Sequence, residues 1–305
     1  VLKQDMLQLT FDFFHERRSN ILTTPGTVPD YLGISTLAPL NAGEVVNKGV
    51  DGELRFNKRW SDFGLFGTLQ FTYTRNRVVE NDQPNPAFPY QDLRGYEIGY
   101  TLGYRSIGYF TSQDDIDNSA RQQFDNKLIP GDIKYLDVNS DGVIDAFDRV
   151  PILVQNVPRY MGGISLGGSY KSVDFSLLLN GAGGGTARYV PKPLDPIILQ
   201  RWTEENQENA KVPVAKNSSN NTLMSDFYNF QTDYLKLRNA EIGYALHSEW
   251  LKHRGISAMR VFINGQNLAI WDRLWVKDRD PEVSGTDNLP YPIQRIFNFG
   301  LNIRL

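Results

Sequence analysis

The sequence predicts an all-β fold, an antiparallel transmembrane β-barrel segment of about eight strands with long extracellular loops. Three observations predict it. Apolar and polar residues alternate at period 2 in a series of segments. No apolar run approaches the roughly 18 residues of a spanning helix, whereas a spanning strand needs only about 9–11. The connections alternate between short turns and very long loops, as in outer-membrane barrels.

The first strand is Leu7-Gln8-Leu9-Thr10-Phe11-Asp12-Phe13, with leucines and phenylalanines on one face. A loop bearing Pro25, Gly26 and Pro29 follows. Val50, Gly52, Leu54 and Phe56 then alternate with Asp51, Glu53, Arg55 and Asn57. After a short turn at Ser61-Asp62, Leu65, Leu69, Phe71 and Tyr73 face away from Thr68, Gln70, Thr72 and Thr74. A very long connection begins near Asn76 and holds the run Gly95 to Tyr104, a helical turn capped at Ser112 and an acidic loop near its end.

Alternation resumes from Tyr160 to Tyr170 and from Val173 to Asn180, a hairpin turning at Lys171-Ser172. A second excursion runs from the glycines at 181–185 through a short helix at Ile197 to Trp202 and the polar Asn217-Ser218-Ser219-Asn220-Asn221. In Tyr234 to Tyr244 the apolar phase changes between Leu237 and Ala240, the mark of a β-bulge. Met259 to Asn267 is the seventh strand. A loop with Trp271, Trp275 and Asp280-Pro281-Glu282 leads to the last, Phe297 to Leu305.

With the last strand descending to the periplasm, the connections after the first, third, fifth and seventh strands lie outside, and these are the long ones. The alternative is a soluble β-sandwich, a calcium-dependent binding or adhesion module. Charges such as Asp51, Glu53 and Arg55 suit a wet lumen and would be rejected by a sandwich core.

The acidic loop is Asp137 to Asp148. Asp137, Asn139, Asp141, Asp145 and Asp148 stand at positions 1, 3, 5, 9 and 12 of a calcium-type loop, Gly142 at the turn and the Val143 carbonyl at position 7. The cofactor expected is calcium, held structurally. Asp148 is shorter than the glutamate that usually closes such a shell, and no helix precedes the loop, so an EF-hand pair is not expected; a solvated Asp/Asn/Gly turn is the competing reading.

No enzyme chemistry is legible. Gly163-Ile164-Ser165-Leu166-Gly167 fits a nucleophile-elbow pattern but lies within strand alternation rather than at a strand-to-helix turn. His15, His247 and His253 are too scattered for a zinc site and read as surface residues. Asp114, Asp115 and Asp117 read as an acidic helix start rather than a glycosidase pair. A formal charge of −3 gives no indication of nucleic acid, and the absence of cysteine removes disulfides and thiolate sites.

Several stretches, in order, resemble the C-terminal part of SusC/RagA-type TonB-dependent outer-membrane transporters of Bacteroidota. They are Pro130-Gly131-Asp132-Ile133-Lys134-Tyr135 with Asp137-Val138-Asn139-Ser140-Asp141-Gly142, Arg201-Trp202-Thr203-Glu204-Glu205-Asn206, Asp233 to Asn239, Gly265-Gln266-Asn267-Leu268, Asp280-Pro281-Glu282 and the terminal Gly300 to Leu305. The family usually ends on an aromatic residue, from which Leu305 departs.

The resemblance implies that residues 1–305 are the last portion of a barrel of roughly 22 strands, with signal peptide, TonB box and plug lying upstream of this chain. It implies an outer-membrane location and TonB-dependent import of oligosaccharides or peptides. The partners implied are a SusD-like surface lipoprotein, TonB through the upstream part, and outer-membrane lipid. The loops at about 77–158, 185–232 and 272–292 are then the expected contacts for lipoprotein and substrate. Loop aromatics including Tyr96, Tyr100, Tyr104, Tyr109, Trp202, Trp271 and Trp275 could stack on sugars or pack the loops together; packing is the preferred reading.

Overall fold

The computed structural model describes residues 6–27, 37–125, 127–155, 157–274, 279–282 and 293–305. Three long strands come first: β1 (Leu7–Thr23), β2 (Leu40–Trp60) and β3 (Phe63–Glu80). The connection after β3 carries short strands β4 (Tyr100–Gly103), β5 (Ser106–Tyr109), β6 (Arg121–Gln122), β7 (Ile133–Tyr135), β8 (Val143–Ile144) and β9 (Val150–Leu153), with helix α1 (Gln113–Asp117) after β5. The hairpin of β10 (Tyr160–Tyr170) and β11 (Val173–Gly183) follows. A second connection holds β12 (Thr186–Arg188) and β13 (Asn229–Gln231). The chain closes with β14 (Tyr234–Leu246), helix α2 (Glu249–Lys252), β15 (Ala258–Asp272) and β16 (Ile296–Arg304).

The long strands form one antiparallel sheet in the order β1, β2, β3, β10, β11, β14, β15, β16, so each strand pairs with its predecessor among the long ones. This is a single sheet, not the two packed sheets of a sandwich. Among the described residues, β1 and β16 each pair on one side only.

Register fixes the two faces. Leu9 lies opposite Leu54, Leu54 opposite Leu69, Leu69 opposite Ile164, Ile164 opposite Leu179 and Leu179 opposite Leu237, so one apolar row crosses six strands. Large side chains on this face stand bare: Phe11 is 63% and Phe299 79% exposed. An apolar face this extensive is not tolerated in water and marks contact with lipid. The other face is polar, with Thr10 opposite Glu53, Glu53 opposite Gln70, and the Gln70 amide donating to Glu53 Oε2 at 2.9 Å.

The expected strands are all present, and the bulge is where the phase change placed it, with the register shifting between Leu237 and Asn239. Several ends differ. β1 runs to Thr23 and β2 starts at Leu40, well beyond the segments read from alternation. Past the apolar belt both faces meet water, so hydrophobic alternation stops while backbone pairing continues. Within the 81–159 connection β4 pairs with β9 around the rest, while β5 with β7 and, in parallel, β6 with β8 interleave rather than form local hairpins. The helix expected at Ile197 to Trp202 is a 3-10 turn, Pro196–Gln200. Trp275, Val28 and Pro29 lie outside the described residues, as do residues 275–278 and 283–292 of the last loop.

A charge placed in the apolar row should be costly while one on the opposite face is not. In the full-length protein, Leu69→Arg should destabilise the folded barrel by about 2–4 kcal/mol, and Thr72→Lys by less than about 0.5 kcal/mol, measured by urea unfolding in bilayers. Equal effects would contradict the assignment of faces.

Candidate functional site

The 81–159 and 184–233 connections fold onto each other at the long-loop end of the sheet. Tyr104, Ile133, Tyr135 and Ile144 from the first form a buried core with Tyr228 from the second. A buried polar lattice joins them. Asp132 Oδ1 accepts from the Asn221 side chain at 2.7 Å, and Asn221 Oδ1 accepts from the Ile133 amide at 2.9 Å. Asn220 donates to the Ile133 carbonyl at 2.8 Å, Gln122 donates to Asn220 Oδ1 at 2.7 Å, and the Tyr135 hydroxyl donates to the Asn220 carbonyl at 2.7 Å. Lys216 reaches Asp132 at 3.1 Å and Asp125 at 2.9 Å, which supplies the buried carboxylate with a cation. Burial pushes the Tyr135 and Tyr228 hydroxyls well above the ordinary phenol range.

Two resembling motifs meet here. Gly131 sits at φ 91°, and a Cβ there would lie 2.5 Å from the ring of Trp202, so only glycine lets that ring close on the Pro130-Gly131-Asp132 turn. Sequence reasoning missed the role of Asn220 and Asn221, which read as a polar loop; a pair of asparagines carries no signal until its partners 87 to 98 residues away are known. The loop aromatics mostly pack the loops: Tyr104 lies 4.9 Å from the Phe124 ring, Tyr109 5.5 Å from Phe227, and Trp202 is buried. Tyr96 and Tyr100 pair with each other at 4.9 Å, whereas Trp271 stands exposed opposite Leu235.

The acidic loop is closed on its own backbone. Asp137 accepts from the amides of Ser140 at 2.7 Å and Gly142 at 2.8 Å, Asp141 from Val143 at 2.9 Å, and Asp145 from Phe147 at 2.7 Å. Asn139 and Asp141 bond to each other through both side chains and backbone. Asp148 is fully buried and accepts from Val138 and Asp145, both at 2.8 Å, the latter within a capping box. Ser140 at φ 61° and Gly142 at φ 83° make the sharp turn expected there. Among the described residues, no three His, Cys, Asp or Glu side chains are grouped as a ready metal shell. None of the four aspartates has a Lys or Arg partner among the described residues, and burial, then the fields of Asp148, Asp141, Asp145 and Asp137, raise the Tyr90 hydroxyl above its usual range. The carboxylates thus share one loop, each held by backbone amides rather than by a Lys or Arg among the described residues.

A second convergence lies inside the sheet. The bulge at Arg238 turns Lys236 and Arg238 towards the last loop. Lys236 Nζ, nearly buried, contacts Asp280 at 2.7 Å and Glu282 at 2.5 Å, Arg238 contacts Glu282 at 2.5 Å, and the Tyr234 hydroxyl donates to Glu282 at 2.6 Å. Burial alone would raise the Glu282 carboxyl, but hydrogen bonds from Lys236, Tyr234 and Arg238 hold it down at about 2. Asp233 accepts from the Gly184 amide at 2.8 Å, fixing the glycine-rich exit of β11. The Asp233 to Asn239 and Asp280 to Glu282 motifs are therefore one ion cluster.

His15, His247 and His253 are exposed and apart, Gly163 to Gly167 lies mid-strand in β10, and Asp115 ends on Lys134 at 2.7 Å beside the Ser112 cap. No catalytic arrangement is formed by these residues.

A single antiparallel sheet with one bare apolar face, short turns at one end and interlocked loops at the other defines an outer-membrane β-barrel protein. The chain belongs to the TonB dependent receptor-like β-barrel family, whose model matches residues 1–268. It is similar to TonB-dependent receptor P3 of Formosa agariphila, 25% identical over 99% of this chain, and to receptor P26 of the same organism, 22% identical over 95%. It spans 33% and 32% of those relatives' lengths. Its fold is also that of part of the RagAB peptide transporter, with a TM-score of 0.69 at 20% identity over 98% of this chain and 33% of that one; the 'open-open' RagAB peptide importer gives 0.68.

Asn221→Ala should orphan Asp132 Oδ1 and the Ile133 amide at about 1–3 kcal/mol each. Hydrogen exchange in the full-length protein should then rise in both connections together while the sheet keeps its protection. A rise confined to one connection would contradict the shared core.

Proposed function

We propose that this chain forms part of the barrel of a TonB-dependent importer that takes up oligosaccharides or peptides with a SusD-like surface lipoprotein. The observation that carries the reading is the joined loop body, which presents a rigid platform at one end of a lipid-facing sheet. An unpaired strand edge is not tolerated in hydrocarbon, so the free sides of β1 and β16 call for further strands, consistent with a barrel of roughly 22. On this reading residues 1–305 are its C-terminal part, and TonB engages a segment upstream. The long loops face outward. Leu194 is 97% and Leu199 82% exposed on the 184–233 connection, apolar surface suited to a lipoprotein that closes over the mouth.

In the full-length transporter, Leu194→Asp with Leu199→Asp should weaken co-purification of the lipoprotein about tenfold and slow substrate-dependent growth, with barrel heat-modifiability in SDS unchanged. Undiminished lipoprotein binding would remove these loops from the interface. Release of the native protein by salt or chelator without detergent would favour the soluble adhesion reading instead.

We propose further that Asp137, Asn139, Asp141, Asp145, Asp148 and the Val143 carbonyl hold a structural calcium ion. The support is the spacing of the oxygen-bearing residues, their lack of a Lys or Arg partner among the described residues, and the sharp turn at Ser140 and Gly142. Bound there, calcium would neutralise them and order the 81–159 connection. EGTA should increase proteolysis within 137–148 in the wild-type protein and leave Asp137→Asn/Asp141→Asn unaffected; cleavage independent of calcium in both would leave the loop as a self-capped turn.

A further inference from the structure

On the lipid-facing side of β3 the apolar stretch runs from Leu65 to Tyr73. That is about 26 Å along a strand rising ~3.3 Å per residue, and at the usual tilt it fills most of a ~25 Å apolar band. The next residues on the same face, towards the long-loop end, are Arg75 and Arg77. Register is unbroken across this region, so His15 lies opposite Lys48 and Lys48 opposite Arg75, with Arg17, Val46 and Arg77 forming the next row. Phe13, Val50 and Tyr73 form the apolar row beneath. Basic side chains thus follow immediately where the apolar belt ends.

Directly opposed like charges destabilise a strand pair, so this row calls for an anion. Protein carboxylates answer only part of it: Arg17 pairs with Glu44 at 2.7 Å, Arg75 with Glu97 at 2.8 Å and Arg94 with Asp92 at 2.8 Å. Glu97 is also shared with Arg159 at 2.8 Å. Lys48 and Arg77 have no carboxylate partner among the described residues, and both are exposed. The residues line an open groove of about 860 Å³ whose floor includes Phe13 and Tyr73 and whose upper wall is Arg94 and Gly95.

We propose that this groove binds the phosphorylated headgroup of an outer-leaflet lipid of the lipid A type. Lys48 and Arg77 meet phosphate oxygens and the Phe13, Val50 and Tyr73 row receives the first part of the acyl chains. A cation at the membrane surface gains from an anionic headgroup while the apolar groups beneath it stay in hydrocarbon. A soluble anion would not use the apolar floor, and a neutral lipid would leave Lys48 and Arg77 without an anion. The assignment rests on the long-loop end facing outward, which labelling of the 184–233 connection on intact cells reads independently.

The test uses the full-length transporter in detergent, with retained lipid counted by native mass spectrometry. Wild-type protein titrated with diphosphorylated lipid A should bind at least one copy, and enzymatically dephosphorylated lipid A should bind about thirtyfold more weakly, about fivefold for each cation left without its phosphate. Lys48→Gln/Arg77→Gln should reproduce that loss, and Lys58→Gln, near the opposite edge of the belt, should not. The wild-type comparison between the two lipids stands whether or not a variant folds. Equal binding of both lipids, or phosphatidylglycerol binding as tightly as lipid A, overturns the proposal.

Discussion

Unpaired backbone amides are not tolerated in hydrocarbon, and this constraint dictates the length, order and register of the long strands. Because the sheet has lipid on one side and water on the other, a slip of one residue would move Leu54, Leu69 and Ile164 into the lumen and Glu53, Gln70 and Asn180 into lipid. Register is therefore fixed across the sheet. The bulge at Arg238, matched by an extra residue in β15 at Asn267-Leu268, occurs where the sheet gives two cations, Lys236 and Arg238, to the last loop.

Outside the belt the constraint lapses and the loops must stabilise themselves. Two connections of such length would each pay a large ordering entropy alone. They fold as one body instead, with Tyr228 of the second completing the apolar core of the first and Asn220 and Asn221 answering the buried Asp132 and the β7 backbone. The bonds that tie Asp132 and Ile133 to Asn220 and Asn221 join residues 87 to 89 positions apart, so the two connections are ordered together. This couples the mouth of the barrel to the strands on either side.

Four of the stretches that gave the family resemblance meet in contact, and a further contact anchors Asp233. Trp202 closes on Gly131, Lys236 and Arg238 on Glu282, and Asp233 on the Gly184 amide. These contacts tie loops to each other and to the lumenal wall. Each pair unites a strand or turn with a loop that would otherwise be attached only at its ends.

The sequence by itself determined the all-β class, the strand order, the bulge near Leu237, the capped turn at Ser112 and the sorting of short and long connections. All of these are local: period-2 alternation, turn residues and loop length are written in neighbouring residues. Strand ends such as Thr23 and Leu40 were not legible, because pairing continues past the belt without an apolar signature. Only the tertiary structure decided that Asn220, Asn221 and Gln122 are buried partners of the Ile133 region, and that a basic row of Lys48, Arg75 and Arg77 borders the lipid belt. Those facts depend on which distant segments share a register or a core, and one-dimensional spacing carries no information about that.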